Sequence, residues 1–131
     1  MTVQTRPYFH TPSRLEMLFQ SFQAELGTDM LGTYLLSAKD NKLIYGILNP
    51  NQQEYPSFYT TLMKIANLIS EKMQLGQVEE NLIITDQFYI LTRSLSQNDY
   101  YWGVMINKQT PLGSVRILIE RYSPQILLAI V

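Results

Sequence analysis

The chain has 131 residues, of which 46% are apolar and 16% are charged, and its net charge is −1. This length and apolar content predict one globular domain with one core. The near-neutral charge excludes the basic field that drives binding to nucleic acid or anionic lipid. Cysteine is absent, which excludes disulfides and cysteine nucleophiles. Neither a signal peptide nor an apolar run of about 20 residues is found. We therefore expect a cytoplasmic protein that has no membrane span and does not bind nucleic acid.

The first helix is predicted where an apolar repeat follows a polar N-terminal segment. Thr11 and Pro12 fit the N-cap and the first helical position. Ser13 and Glu16 offer an alternative capping box that starts the helix slightly later. Leucines and phenylalanines follow at helical spacing, and Gly27 ends the helix.

Five strands are predicted at residues 30–38, 43–48, 78–85, 88–95 and 100–107. The first two flank a polar turn and read as a hairpin. The last three have short connections, which makes them antiparallel neighbours. Their apolar residues are consecutive and do not alternate with polar ones, so we expect both faces of the sheet to be covered.

The segment 56–73 carries the longest helical pattern, and its apolar arc is about 160° wide, against about 100° for a helix that faces one core. We expect the centre of this arc, at Ile65 and Ile69, to face the sheet. The excess apolar surface then lies on one flank, where it could cover a partner. That flank is formed by Tyr59, Met63 and Ala66.

The last helix is predicted to open at Thr110 and Pro111, which repeat the Thr-Pro start of the first helix. Ser123 and Pro124 are expected to break or re-cap it. Residues 125–131 are nearly all apolar but too few for a membrane anchor, so a short final helix against the core is expected.

The elements follow the order helix, strand, strand, helix, strand, strand, strand, helix. This order predicts an α+β fold in which a five-stranded antiparallel sheet has helices on both faces. We expect a single domain at residues 11–131, preceded by a flexible N-terminal arm at residues 1–10.

The chain offers no pattern of catalytic or metal-ligating residues. His10 is the sole histidine and lies in the expected arm. Glu79 and Glu80 are strand neighbours whose side chains point to opposite faces. Asp40 and Asp86 lie in turns, where such residues ordinarily bond the backbone. No phosphate-binding loop, nucleophile elbow or calcium loop is present. We therefore expect no enzymatic activity, no metal and no cofactor.

One strand carries Tyr100, Tyr101 and Trp102 in succession. Such a run could stack nucleic-acid bases, but the strand has only Lys108 as a basic neighbour and helices are expected on both faces of the sheet, so packing in the core or at the sheet edge is the favoured interpretation. Arg93 falls on an otherwise apolar strand. It is expected to emerge near the sheet end, to pair with an acid, or to reach a partner.

The order of elements and several motifs resemble the roadblock family, the dynein light-chain and bacterial GTPase-regulator domains related to longin domains. The resemblance covers residues 11–131. It rests on the opening helix, on a first strand that contains Gly32, and on an acidic turn at residues 37–41. The long central helix and the final helix that begins Leu112-Gly113-Ser114-Val115-Arg116 complete it. Asn41 and Pro124 depart from the family pattern.

The resemblance implies a homodimer in which third strands pair edge to edge and central helices pack side by side. The pairing edge would be formed by Glu79, Asn81 and Ile83, and the helix contact by Tyr59, Met63, Ala66 and Ser70. Roadblock domains have no chemistry of their own. They bind small Ras-like GTPases, modulate their nucleotide state, or act as scaffolds in motor and signalling complexes.

Two other functions remain open at this point. One is a longin-like or profilin-like adaptor that binds a peptide as a monomer. The opening helix argues against this function, because longin domains start at the first strand. The other is a small-molecule sensor, which requires a sizeable apolar cavity between the sheet and a helix.

Overall fold

The structure is a computed structural model, and it describes residues 13–130. Three helices and five strands follow one another in the predicted order, with short 3-10 turns at Gly27–Asp29 and Pro50–Gln52. The elements are α1 (Arg14–Leu26), β1 (Met30–Ser37), β2 (Leu43–Ile47), α2 (Tyr55–Lys72), β3 (Glu80–Ile84), β4 (Phe88–Leu95), β5 (Tyr100–Asn107) and α3 (Leu112–Ile130). The predicted α+β fold is confirmed.

All strand pairs are antiparallel, and the sheet order is β2-β1-β5-β4-β3. The hairpin and the three-strand meander meet where β1 pairs with β5 at the centre of the sheet. The helix α2 connects the two edge strands, β2 and β3. It covers one face of the sheet, and α1 and α3 cover the other.

The helix α1 begins at the later of the two predicted starts. Ser13 is its N-cap, and the Ser13 hydroxyl accepts a hydrogen bond of 3.1 Å from the backbone N–H of Glu16. Thr11 and Pro12, the other predicted start, lie outside the described residues, as does the expected arm. Gly27 ends the helix in a left-handed conformation with φ of 66°.

The core between the sheet and the helices α1 and α3 is centred on Trp102. Its ring is fully buried and meets Phe19 and Phe22 edge-on at centroid distances of 5.8 and 4.9 Å. The indole N–H donates to the Thr33 hydroxyl over 2.8 Å, and that hydroxyl donates to the carbonyl of Gly103. The expectation that Trp102 packs in the core is therefore confirmed.

A polar contact also ties α1 to α3. The phenol of Tyr122 and the guanidinium of Arg121 both donate to the carboxylate of Glu25. The phenol bond, with help from Arg121, holds the pKa of Glu25 below its ordinary value of 4.5. Burial, followed by the contact with Glu25, raises the pKa of Tyr122 to about 12.

The expected break at Pro124 is wrong, because α3 runs from Leu112 to Ile130 without interruption. A proline inside a helix costs about 3 kcal/mol. Here the buried residues Ile119 and Ile126 lie on either side of it, so the same core holds both halves of the helix. The Ser123 hydroxyl donates to the carbonyl of Ile119 over 2.6 Å, which adds a bond beside the interrupted ladder.

Candidate interaction surface on the second helix and third strand

The helix α2 buries few of its side chains against the sheet. Only Pro56, Thr60 and Met63 are buried. Tyr59 and Ala66 are half-buried. Because these positions recur every three or four residues, they lie on one side of the helix, and that side faces the sheet.

The opposite side of α2 exposes large apolar residues to solvent. They share one helical face at positions 58, 62, 65, 69 and 73. This set, called the outer stripe below, consists of Phe58 (55% exposed), Leu62 (39%), Ile65 (48%), Ile69 (51%) and Met73 (62%). Leu68, beside the stripe, is 55% exposed as well.

The predicted orientation of α2 is therefore wrong. Ile65 and Ile69 were expected to face the sheet, yet about half of each side chain is in solvent. Met63, predicted on the partner-facing flank, is fully buried within its own chain. The physical reason is the shape of the sheet face beneath α2. The ring of Tyr34 packs over Gly103, 2.1 Å from where a Cβ would lie, so the sheet's own aromatic side chain fills the part of that face around Gly103.

The hydroxyl of Thr60, which is 2% exposed, lies buried beneath α2 without a partner among residues 13–130. The phenol of Tyr34, which is fully buried, lies beside the side chain of Thr92. A buried polar group left unpaired costs about 1–3 kcal/mol. Burial also raises the pKa of Tyr34. On the α1/α3 side, the Nε of Arg93 is likewise buried without a partner in the described part of the chain.

The strand β3 forms the edge of the sheet beside α2. In the described part of the chain it pairs only with β4, so its other edge presents free backbone groups. Leu82 packs toward the α1/α3 core. By alternation, Asn81 and Ile83 lie on the face that α2 covers, and so does Glu79 just before the strand.

Ionic contacts hold β3 in place from the other face. Glu80 pairs with Arg93 of β4 at 3.1 Å and with Arg116 of α3, and Arg93 also pairs with Glu120. Of the three roles expected for Arg93, pairing with an acid is confirmed. The contact with Glu80 raises the pKa of Arg116.

The connection from α2 to β3 is fixed by side-chain amides. The carbonyl oxygen of Asn67 accepts from the backbone N–H of Val78 over 2.8 Å, and its amide donates to Asn98. The Ser70 hydroxyl donates to the carbonyl of Gly76 over 2.6 Å. Ser70, predicted at the helix contact, is thus engaged within its own chain.

The described residues contain no group of three or more metal-ligating side chains that could hold an ion. His10 lies outside them. Within the same range, no helix is both long and apolar enough to span a membrane.

The sequence matches no family model and no curated protein. Solved structures with the same fold do exist. MglB of Myxococcus xanthus is 11% identical, with a TM-score of 0.75 over 86% of this chain and 91% of that one. A structure described as MglB with tetrameric arrangement is 10% identical, with a TM-score of 0.74 over 86% and 85%. A Roadblock/LC7 domain from Streptomyces avermitilis is 12% identical, with a TM-score of 0.68 over 85% and 96%. The chain has the roadblock fold.

Proposed function

We propose that this protein is a homodimeric, non-catalytic regulator or scaffold that acts in the cytoplasm. Its protein partner is a small Ras-like GTPase or another component of a motor or signalling complex. The roadblock fold supports this class of function, and the family resemblance of the sequence supports the GTPase as partner.

The outer stripe of α2 is the observation that carries the dimer. Five large apolar side chains, 39% to 62% exposed, lie in one row on a single helix. Soluble monomers rarely expose a contiguous apolar patch of this kind. In a twofold-symmetric dimer the stripe would pack on its own copy, because such an interface uses the same patch on both subunits.

The open edge of β3 lies beside α2 and supports the same arrangement. Pairing of β3 with its own copy would satisfy the free backbone groups and extend the sheet across both subunits. Glu79, Asn81 and Ile83 belong to this proposed edge contact. On the helix, the burial of Met63 moves the proposed contact from the predicted flank to the outer stripe, with Tyr59 and Ala66 at its margin and Ser70 outside it.

Size-exclusion chromatography with light scattering tests the dimer. The wild-type chain is expected at twice its monomer mass at micromolar concentration. The variant Ile65→Glu is expected as a folded monomer, because it would bury an unpaired charge at the contact. Ile117→Glu is the matched control, since Ile117 is an exposed isoleucine of α3. A monomeric wild type, or a dimeric Ile65→Glu variant, would contradict the proposed interface.

Affinity capture from the native cell, followed by mass spectrometry, tests the partner. Recovery of a small GTPase that then binds the purified protein in a nucleotide-dependent way is the expected result. Repeated recovery of the protein alone would contradict the GTPase assignment without affecting the dimer.

A further inference from the structure

A cleft of about 320 Å³ opens between the first turns of α2 and the sheet. It lies on the inner side of the helix, away from the outer stripe. Its walls come from the 3-10 turn before α2, from α2 itself and from three strands. The lining residues are Leu31, Gln52, Tyr55, Tyr59, Phe88, Ile90 and Met105.

The lining is apolar and carries no charge among the described residues. Its polar side-chain groups are the carboxamide of Gln52 and the phenols of Tyr55 and Tyr59. Burial raises the pKa of Tyr59 above its ordinary value of 10.0. An ionic ligand would lose water here and gain no counter-charge, so the lining favours an uncharged ligand.

The walls of the cleft are held in place by specific contacts. The carboxamide oxygen of Gln52 accepts from the backbone N–H of Asn49 over 2.8 Å, in a capping box that fixes the turn. The rings of Tyr55 and Tyr59 meet edge-on at 6.1 Å. A Cβ on Gly32 would lie 2.6 Å from the terminal methyl carbon of Met105. Because glycine has no Cβ, that methyl group has room at the floor of the cleft.

We propose that this cleft binds a small, uncharged ligand built on one or two rings. Its volume is about twice that of the roughly 150 Å³ cavity that admits benzene. Aromatic walls with a few hydrogen-bonding groups suit a planar ring that carries one donor or acceptor. Since Tyr55 and Tyr59 belong to α2, the ligand would tie the start of that helix to the sheet. The cleft lies on the inner side of α2, away from the outer stripe, and shares only Tyr59 with the margin of the proposed dimer contact.

Titration with indole, observed through methionine methyl groups labelled with ¹³C, tests the cleft. The Met105 methyl lines it, whereas Met17 is exposed on α1, across the sheet. We expect a saturable shift of the Met105 signal with a Kd below about 1 mM and no shift of the Met17 signal. Absence of a saturable Met105 shift would overturn the proposal.

Variants that fill the cleft test its location. Ile90→Phe is expected to weaken indole binding by at least about tenfold, because the added ring occupies the site. Ile84→Phe is the matched control, since Ile84 is an exposed isoleucine outside the lining. Leu31→Phe fills the cleft from another strand, and Trp102 fluorescence reports whether each variant keeps its core. Unchanged binding in both folded cleft variants would overturn the site.

Charged analogues test the ligand class. Indole-3-acetate and tryptamine are each expected to bind at least about tenfold more weakly than indole, because the lining offers no counter-charge. Equal binding of either ion would overturn the assignment to uncharged ligands. Indole should bind the Ile65→Glu variant as it binds the wild type, because Ile65 lies on the outer stripe. Loss of binding in that variant would contradict the separation of the cleft from the outer stripe.

Discussion

The two faces of the sheet are packed in different ways. The face under α1 and α3 buries Phe19, Phe22 and Trp102 completely, and the one polar group of this cluster, the indole N–H, has a partner. The face under α2 buries only Met63 among the helix's large apolar side chains and leaves the hydroxyl of Thr60 unpaired. One face therefore stabilises the chain, and the other leaves apolar surface free for a partner.

Removal of a large side chain should lower the free energy of unfolding by very different amounts on the α1/α3 side and on the α2 side of the sheet. Trp102→Ala is expected to lower the free energy of unfolding by about 3–5 kcal/mol, as is usual for a buried aromatic residue. Phe58→Ala removes a large aromatic side chain from the exposed outer stripe and should change the stability of the monomer by less than about 0.5 kcal/mol. Urea titrations of both variants in the Ile65→Glu background measure the difference. Similar losses in the two would contradict the comparison.

Loss of a buried hydroxyl should have opposite effects on the two sides. Thr60→Val removes an unpaired hydroxyl and is expected to raise the stability by about 1 kcal/mol. Tyr122→Phe removes a phenol that donates to Glu25, so the stability should fall. The midpoints of urea unfolding show the two signs, and a loss of stability in Thr60→Val would mean that the Thr60 hydroxyl has a partner in solution.

Acid should weaken the α1–α3 side through Glu25, with a smaller effect than either substitution. The pKa of Glu25 is lowered in the folded chain by Tyr122 and Arg121. Its contribution is therefore present above its unfolded value near 4.5 and is lost as the pH falls through the lower, folded value. Thermal unfolding across this acidic range should depend less on pH in Glu25→Gln than in the wild type. Identical pH profiles would mean that the Glu25 contact does not contribute to the pH dependence of stability.

The order and type of every described helix and strand could be predicted from the sequence, because apolar spacing and turn residues are local signals. The orientation of α2 could not. An apolar arc about 160° wide does not reveal which side meets the sheet. That choice depends on Gly103 and Tyr34, which come together only when β1 pairs with β5. The polar residues Thr60 and Asn67, which share the inner side with Met63, pointed to the wrong orientation, because polar residues ordinarily mark the solvent side of a helix.

Pro124 shows the same limit at another place. The local rule predicts a break, but core contacts on both sides of the proline keep α3 continuous, and those contacts come from distant parts of the chain. The cleft under α2 could likewise not be predicted, because a sequence does not reveal the volume of a cavity. The sequence indicated only that a small-molecule sensor would require such a cavity.

Hydrogen exchange at low and high protein concentration tests the central claim, that the α2 and β3 side is where a second copy binds. The two edge strands provide the internal comparison. We expect the outward amides of β3 to gain protection as the concentration rises, while those of β2 stay unchanged. A gain of protection at β2 would contradict this claim. So would the absence of any gain at both edges in a concentration range where the mass doubles.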